Sequence, residues 1–224
     1  MEDWKREKFL NFRLYAVTNL KNADSGEIEK IDRAYAGGAD IVQLRSRSLS
    51  DADLYKLGLE IRRLADRYRG LYFVNDRLDL ALATEADGLH LGQEDLPVAA
   101  VREMGSRQGT SFLIGKSTHS LDQAMSAAAE GVDYIGVGPV FSTPTKPDYA
   151  PVGLQLVSQV KKSVRIPFVA IGGIQPDNLE SVLQHGASRV AVVRALFESE
   201  NIYESTRKLR DRIERHVTEP LQRS

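Results

Sequence analysis

The sequence predicts an α/β fold, a single (β/α)8 TIM barrel with a closed parallel sheet. Three observations point there. Short aliphatic and β-branched runs recur eight times along the chain. Helical patterns fill the intervals between them. The whole takes 224 residues, an ordinary length for one such barrel and a short one for two full domains. Strict alternation of strand and helix implies parallel pairing, and runs with little polar alternation imply strands buried on both faces.

The first dozen residues, MEDWKREKFLNF, read as an extension over 1–12, an extra helix covering the barrel's base, with the barrel itself over 13–224. The eight strand candidates are Leu14–Val17, Ile41–Leu44, Leu71–Val74, Leu89–Leu91, Phe112–Ile114, Tyr134–Val140, Pro167–Ile171 and Val190–Val193. Between the second and third, LSDADLYKLGLEIRRLADRY offers Ser50 as N-cap and apolar residues at Leu54, Leu57, Ile61 and Leu64, which share one helical face. SLDQAMSAAAEG opens with Ser120 and stops at Gly131. QPDNLESVLQHG has Pro176 early and Gly186 at its end, the usual asymmetry of a helix. ENIYESTRKLRDRIERHV gives a charged closing helix, and the weaker intervals 77–87 and 95–111 are expected to hold short ones. An open doubly wound sheet is the competing architecture. It would be favoured by a dinucleotide fingerprint after the first strand, which is missing; GVGPVF has two of the three glycines, followed by Pro139.

Composition excludes several function classes. Lys plus Arg total 30 against 31 Asp plus Glu, so a net charge of -1 gives no reason to expect nucleic acid or an anionic membrane as partner. Any attraction for anions must be local. There is no cysteine, which removes disulfides, thiolate metal sites and a cysteine nucleophile, and fits a cytoplasmic protein. No run approaches eighteen consecutive apolar residues, and the charged start has no apolar signal region. Assembly into copies of itself is not readable.

In such barrels the chemistry sits at the C-terminal ends of the strands. Read in order, those ends carry Thr18–Asn19, then Gln43, Arg45 and Arg47, then Asn75–Asp76, Gln93 and Asp95, Lys116, Ser117 and His119, Thr143, Thr145 and Lys146, Gly172–Gly173, and Arg194. Asp76 and Asp95 end neighbouring strands, so both reach one rim. Mg²⁺ is usually held by one or two carboxylates together with phosphate oxygens of a substrate. Arg45, Arg47 and Lys146 can neutralise further phosphate charge, and Gly172–Gly173 with the end of the eighth strand lies where barrels often bind phosphate through backbone N–H groups. The ligands implied carry phosphate twice, once as a magnesium diphosphate and once as a simpler phosphate. Each residue has an ordinary reading beside this one. Asp95 can be a helix N-cap, Gly172–Gly173 a tight turn, Arg45 and Arg47 rim salt bridges, Thr143 and Thr145 turn residues around Pro144.

Of the four histidines, His185 beside Gly186 reads as a helix C-terminal residue and His216 as surface. His90 lies within a strand and reads as a packed, hydrogen-bonded core residue; His119 alone is at the rim.

VQLRSR (42–47), FVNDRLDLAL (73–82), GLHLGQEDLP (88–97), IGKSTHS (114–120), YIGVGPVFSTPTKPD (134–148), IPFVAIGGI (166–174) and GASRVAVVRAL (186–196) resemble, in order, the thiamin phosphate synthase family, a relative of the thiazole tautomerases. The resemblance implies an enzyme that joins 4-amino-5-hydroxymethyl-2-methylpyrimidine diphosphate to a thiazole phosphate with loss of pyrophosphate. It implies Asp76 and Asp95 as ligands of Mg²⁺. Gln43, Arg45, Arg47, Asn75, Ser117 and Lys146 would contact the pyrimidine diphosphate, with Arg45, Ser117 and Lys146 acting on the departing group. Thr143, Thr145, Gly173, Val193 and Arg194 would hold the thiazole phosphate. Two positions depart from the family pattern: Arg47 stands where Lys is frequent, and Arg194 where many members carry Ser. The rival reading is a tautomerase with His119 as acid/base. The GQED element and the paired aspartates argue against it. A non-catalytic barrel that binds a phosphate ligand would need neither carboxylate.

Overall fold

The chain was analysed as a computed structural model that describes residues 2–144 and 150–218. Eight strands close into one parallel barrel in chain order, with β8 hydrogen-bonded back to β1. They are β1 (Leu14–Val17), β2 (Ile41–Leu44), β3 (Leu71–Asn75), β4 (Gly88–Leu91), β5 (Leu113–Thr118), β6 (Tyr134–Val137), β7 (Phe168–Ile171) and β8 (Val190–Val192). Around them lie α1 (Asp3–Asn11), α2 (Ser25–Ala36), α3 (Asp51–Tyr68), α4 (Leu78–Ala83), α5 (Val98–Arg107), α6 (Leu121–Ala129), α7 (Gly153–Ser163), α8 (Leu179–Gln184), α9 (Arg194–Phe197) and α10 (Ile202–Thr218). No helix among the described residues is long and apolar enough to cross a membrane.

The helix signals read from the sequence hold where a side chain does the capping. Ser50 accepts from the Asp53 N–H at 3.2 Å, and Ser120 from the Gln123 N–H at 3.2 Å. The weak intervals do hold short helices, α4 and α5. Three boundaries differ from expectation by more than one residue. The strand expected over Phe112–Ile114 runs on to Thr118, because alternate residues of the polar GKST stretch face the barrel interior and still pair with β6. The one expected over Tyr134–Val140 stops at Val137, since Gly138–Pro139 follows and proline cannot donate to a ladder. Pro176 stands outside α8, whose N-cap is Asn178, while Gly186 ends it at φ 99° as expected.

Two apolar layers result from the period-2 alternation of the strands. Leu14, Ala16, Val42, Leu44, Val74, Leu89, Ile114 and Ile135 face outward and pack under the helices. Tyr15, Val17, Ile41, Leu71, Phe73, Leu113, Tyr134, Val169 and Ala191 face inward. Phe9 of α1 and Phe12 join this inner set and close the barrel's base. Phe9 stacks on Phe12 at 5.6 Å between ring centres, and Phe12 meets Tyr15 and Tyr134 edge-on at 6.3 and 6.4 Å.

Three acids pin the base together, Asp40 and Asp87 buried and Asp133 half-buried. Asp40, Asp87 and Asp133 stand just before β2, β4 and β6. Each accepts a backbone N–H from the strand before: Leu14 at 3.1 Å, Tyr72 at 2.8 Å, Ile114 at 2.7 Å. Each also holds a helix arginine, Arg210 at 2.7 Å, Arg62 at 2.7 Å and Arg102 at 2.6 Å. Lys8 and Lys5 of α1 reach Asp40 and Asp87 at 2.7 and 2.8 Å, so the extension is clamped to the same network.

Asp40 is 1% exposed and has the most partners, with Arg13 N–H at 2.8 Å in addition. Asp40→Ala removes the acceptor of two N–H groups and of the half-buried Arg210, which keeps Glu214 and the Gly38 carbonyl. It should lower unfolding stability by about 2–4 kcal/mol in a urea titration with unchanged slope. Lys8→Ala, removing a partly exposed partner, should lower it by about 1 kcal/mol or less. Equal losses for the two would show that Asp40 carries no more than the ion pair with α1.

Candidate active site

The C-terminal mouth of the barrel opens into one cavity. Its wall is built by the inward parity of each strand. Tyr15 and Val17 come from β1, Gln43 and then Arg45 from β2, Asn75 from β3, His90 from β4, Ser117 from β5 and Gly136 from β6. The opposite wall carries Ile171, Gly172–Gly173, Val193 and Arg194. Thr143, from the loop after β6, and His119 also face it. Of the residues read from the sequence, the cavity therefore gathers Gln43, Arg45, Asn75, Ser117, Thr143, Gly173, Val193 and Arg194. Thr145 and Lys146 lie outside the described residues. Arg47, Asp76 and Asp95 are not part of the wall; they stand at its rim.

The rim is nonetheless tied to the wall. Asp76 has φ 60°, a left-handed conformation uncommon outside glycine, which turns the chain at the end of β3. Its N–H donates to the His90 carbonyl at 2.8 Å, and its carboxylate accepts from the Asn75 amide. Asp95 is not a helix N-cap: α5 begins three residues later behind Pro97, and Asp95 Oδ2 accepts from the Gly92 N–H instead. Gln93 of the same loop donates to the Ser117 carbonyl. Two carboxylates thus end adjacent strands beside Asn75 and Ser117. Among the described residues no group of three or more His, Cys, Asp or Glu comes together. Two hard oxygen donors without a full protein cage suit an ion such as Mg²⁺ that completes its shell with phosphate oxygens and water.

Among the described residues, Arg45 is the cation best placed for an anion. It is 8% exposed, and Asn19 Oδ1 accepts from its Nη1 at 3.0 Å. Burial, then the neighbouring Arg47 cation, pulls its pKa below the ordinary arginine value, while Asp76 pushes it back. A buried guanidinium short of negative charge gains most from an incoming phosphate. Arg194 is about a third exposed and only 4.0 Å from Glu198, a loose pair at the far wall. Lys116 points away from the cavity and pairs with Glu130 at 2.6 Å.

The Gly172–Gly173 pair is a required turn as well as part of the wall. Both have positive φ, 101° and 65°. A Cβ on Gly172 would meet Pro139 at 2.4 Å, and one on Gly173 would meet Phe141 and Ser142 at 2.7 Å.

Sequence reasoning missed the floor of the cavity. Tyr15 and Tyr134 look like core aromatics in apolar runs, yet their hydroxyls meet at 3.0 Å beneath it. His90 is hydrogen-bonded as expected, but it does so at the cavity wall, to Tyr134 and Ser117, both at 2.9 Å. The signal was the alternation itself: Gln43, Asn75, His90 and Ser117 share the inward parity of their strands. His185 ends α8 as read, its Nδ1 2.7 Å from the Ser181 carbonyl. His216 is not simply surface; its side chain is 17% exposed and stands 3.6 Å from Glu180.

The sequence model of the thiamine monophosphate synthase family matches residues 14–196. A thiamine-phosphate synthase of Methanococcus maripaludis is 38% identical over 205 residues, covering 92% of this chain and 96% of that one. Another, of Gloeobacter violaceus, is 43% identical over 210 residues; the match covers 94% of this chain and 60% of the relative, so the chain spans about three fifths of that protein's length. Among solved structures, a thiamine phosphate pyrophosphorylase from Pyrococcus furiosus superposes with a TM-score of 0.83 at 37% identity, over 92% of this chain and 97% of that one.

The floor depends on glycines within strands. A Cβ at Gly115 would lie 2.1 Å from Tyr134 Cζ. Gly115→Ala should therefore displace the Tyr134 ring and cost about 1–3 kcal/mol of stability by overpacking, read by urea denaturation together with the near-UV tyrosine signal. A variant with wild-type stability and spectrum would show that the ring has room to move.

Proposed function

The chain belongs to the thiamine monophosphate synthase family, and from that premise we propose how its site divides the work of joining a pyrimidine diphosphate to a thiazole phosphate. One observation carries the division: the cavity has two polar ends. Gln43, Arg45, Asn75 and Ser117 come from β2, β3 and β5, with Asp76 and Asp95 at the rim beside them. Thr143, Gly173, Val193 and Arg194 come from the opposite half. The first end suits a diphosphate with Mg²⁺, the second a single phosphate.

On this reading Arg45 and Ser117 meet the negative charge that accumulates as pyrophosphate departs, joined by Lys146 from beyond the described residues, with Arg47 at the edge. Gln43 and Asn75 orient the pyrimidine. Asp76 and Asp95 would hold Mg²⁺, which would supply Lewis-acid stabilisation of the leaving group. The C–O bond breaks first, the electron-rich aminopyrimidine carries the resulting cation, and the thiazole nitrogen closes the new bond. No protein nucleophile is needed, so the residues stabilise charge and hold two partners in line. The thiazole phosphate is held by Thr143, Thr145, Gly173, Val193 and Arg194. A cytoplasmic, small-molecule enzyme without nucleic acid or membrane partner fits the balanced charge of the chain. The assay is direct: both substrates with and without Mg²⁺, scored for thiamin phosphate.

One observation keeps a tautomerase in view. His119 faces the cavity, its Nδ1 hydrogen-bonded to the Gly138 carbonyl, the arrangement of an oriented acid/base. The two readings separate by substitution. Asp95→Ala should stay folded, since Asp95 caps no helix, and lose most synthase activity with its magnesium dependence altered. Full activity with unchanged magnesium dependence would remove the metal role. His119→Ala should keep thiamin phosphate formation within roughly tenfold of wild type, below the 10²- to 10⁴-fold expected for a lost acid/base. A dead His119 variant beside a healthy Ser117→Ala would favour the tautomerase.

A further inference from the structure

Five side chains beneath the cavity form one continuous hydrogen-bonded chain. Gln43 Nε2 donates to Tyr15 Oη at 2.6 Å. The Tyr15 and Tyr134 hydroxyls lie 3.0 Å apart. The Tyr134 hydroxyl is 2.9 Å from His90 Nδ1, and His90 Nε2 is 2.9 Å from Ser117 Oγ. Tyr15 and Tyr134 are 1% and 0% exposed, and burial raises both hydroxyl pKa values, so each keeps its proton. The chain is also given room. A Cβ on Gly115 would strike the Tyr134 ring, and one on Gly136 would stand 3.3 Å from His90 Cε1. Glycine weakens a strand interior, so its presence at two inward positions marks a packing requirement.

Each link carries one proton, so the direction of the first fixes the rest. The Gln43 amide N–H can only donate, so the Tyr15 oxygen accepts. The Tyr15 proton then goes to Tyr134, and the Tyr134 proton to His90 Nδ1. An imidazole that accepts at Nδ1 and is neutral carries its hydrogen on Nε2, which donates to Ser117 Oγ. Having accepted, Ser117 keeps its own hydrogen for another acceptor, and the remaining direction is the cavity. The opposite sense requires the Gln43 amide turned over, or the Tyr15 hydrogen buried against no acceptor.

We propose that His90 is a positioning residue: the Gln43–Tyr15–Tyr134 chain holds it as the Nε2–H tautomer, and it turns the Ser117 hydroxyl so that its hydrogen points at the departing diphosphate. The role of Ser117 rests on the functional reading above; the direction of the chain does not. It also links the residue that would read the pyrimidine, Gln43, to the one that would meet the leaving group.

Two measurements test it. Imidazole ¹⁵N NMR of the ligand-free enzyme, with the His90 signal identified through His90→Gln, should show Nε2 protonated and Nδ1 not. The reverse tautomer would overturn the proposal. In steady-state synthesis, Tyr134→Phe keeps the ring and removes the proton offered to Nδ1. It should lower kcat about tenfold, the worth of one hydrogen bond, with little change in the KM of the pyrimidine diphosphate. In a Ser117→Ala background it should have no further effect on kcat. An equal loss in both backgrounds would mean a merely structural tyrosine and would sink the idea. Should Tyr134→Phe fail to fold, the same question goes to His90. Gln sets an amide nitrogen near the Nε2 position and should retain more kcat than Asn, whose nitrogen sits near Nδ1; the reverse order overturns the proposal. A wild-type enzyme that formed no thiamin phosphate would defeat the functional reading, while the NMR result would still decide the direction of the chain.

Discussion

The interior of an eight-stranded barrel is only about as wide as the side chains that fill it, and every strand must decide residue by residue what to place there. That alternation is the constraint on which the site depends. Lower down, inward positions are apolar: Ile41, Leu71, Leu113, Val169 and Ala191. One step further toward the C-terminal ends, the same parity delivers Gln43, Asn75, His90 and Ser117 to the cavity. Two tyrosines, Tyr15 and Tyr134, span the boundary, with rings in the apolar layer and hydroxyls in the polar one. Gly115 leaves room for the Tyr134 ring, and Gly136 leaves room for the His90 imidazole bonded to it. A one-residue slip of any strand would exchange its wall residues for those under the helices.

The two ends of the barrel use charge in opposite ways. At the base, Asp40, Asp87 and Asp133 are each surrounded by a guanidinium and a strand N–H, so negative charge is matched where no ligand comes. At the mouth, Arg45 is desolvated and pressed by Arg47, with Asp76 offsetting part of this. A matched base holds the fold. A mouth left short of negative charge is prepared for a ligand that brings it.

Much of this was legible in the sequence. Alternating aliphatic runs and helical patterns carry the barrel, since both periods are local. Strand ends carry most of the wall, because the fold sends them to one place. Caps were readable at Ser50 and Ser120, where a hydroxyl does the work; the alternative reading of Asp95 as a cap falls, since its carboxylate turns back to Gly92. Strand limits failed where a strand continues through polar residues, as in Lys116–Ser117–Thr118, because ladder pairing does not demand apolar side chains. The base acids recur as Ala39–Asp40, Ala86–Asp87 and Val132–Asp133, but nothing local tells a pre-strand aspartate from an ordinary turn residue; their meaning appears only once β1, β3 and β5 stand beside them. The Tyr15–Tyr134 contact joins residues 119 apart and has no local signature.

The plug formed by Phe9 and Phe12 has a consequence for traffic. With its lower end filled by stacked rings, the barrel is a vessel with a single neck. Beneath the floor the interior is already filled by the inner apolar layer, so whatever reaches Tyr15 and His90 enters and leaves on the side that carries Arg45 and Arg194. A passage through the molecule is shut twice over, by that layer and by Phe9 and Phe12 under it.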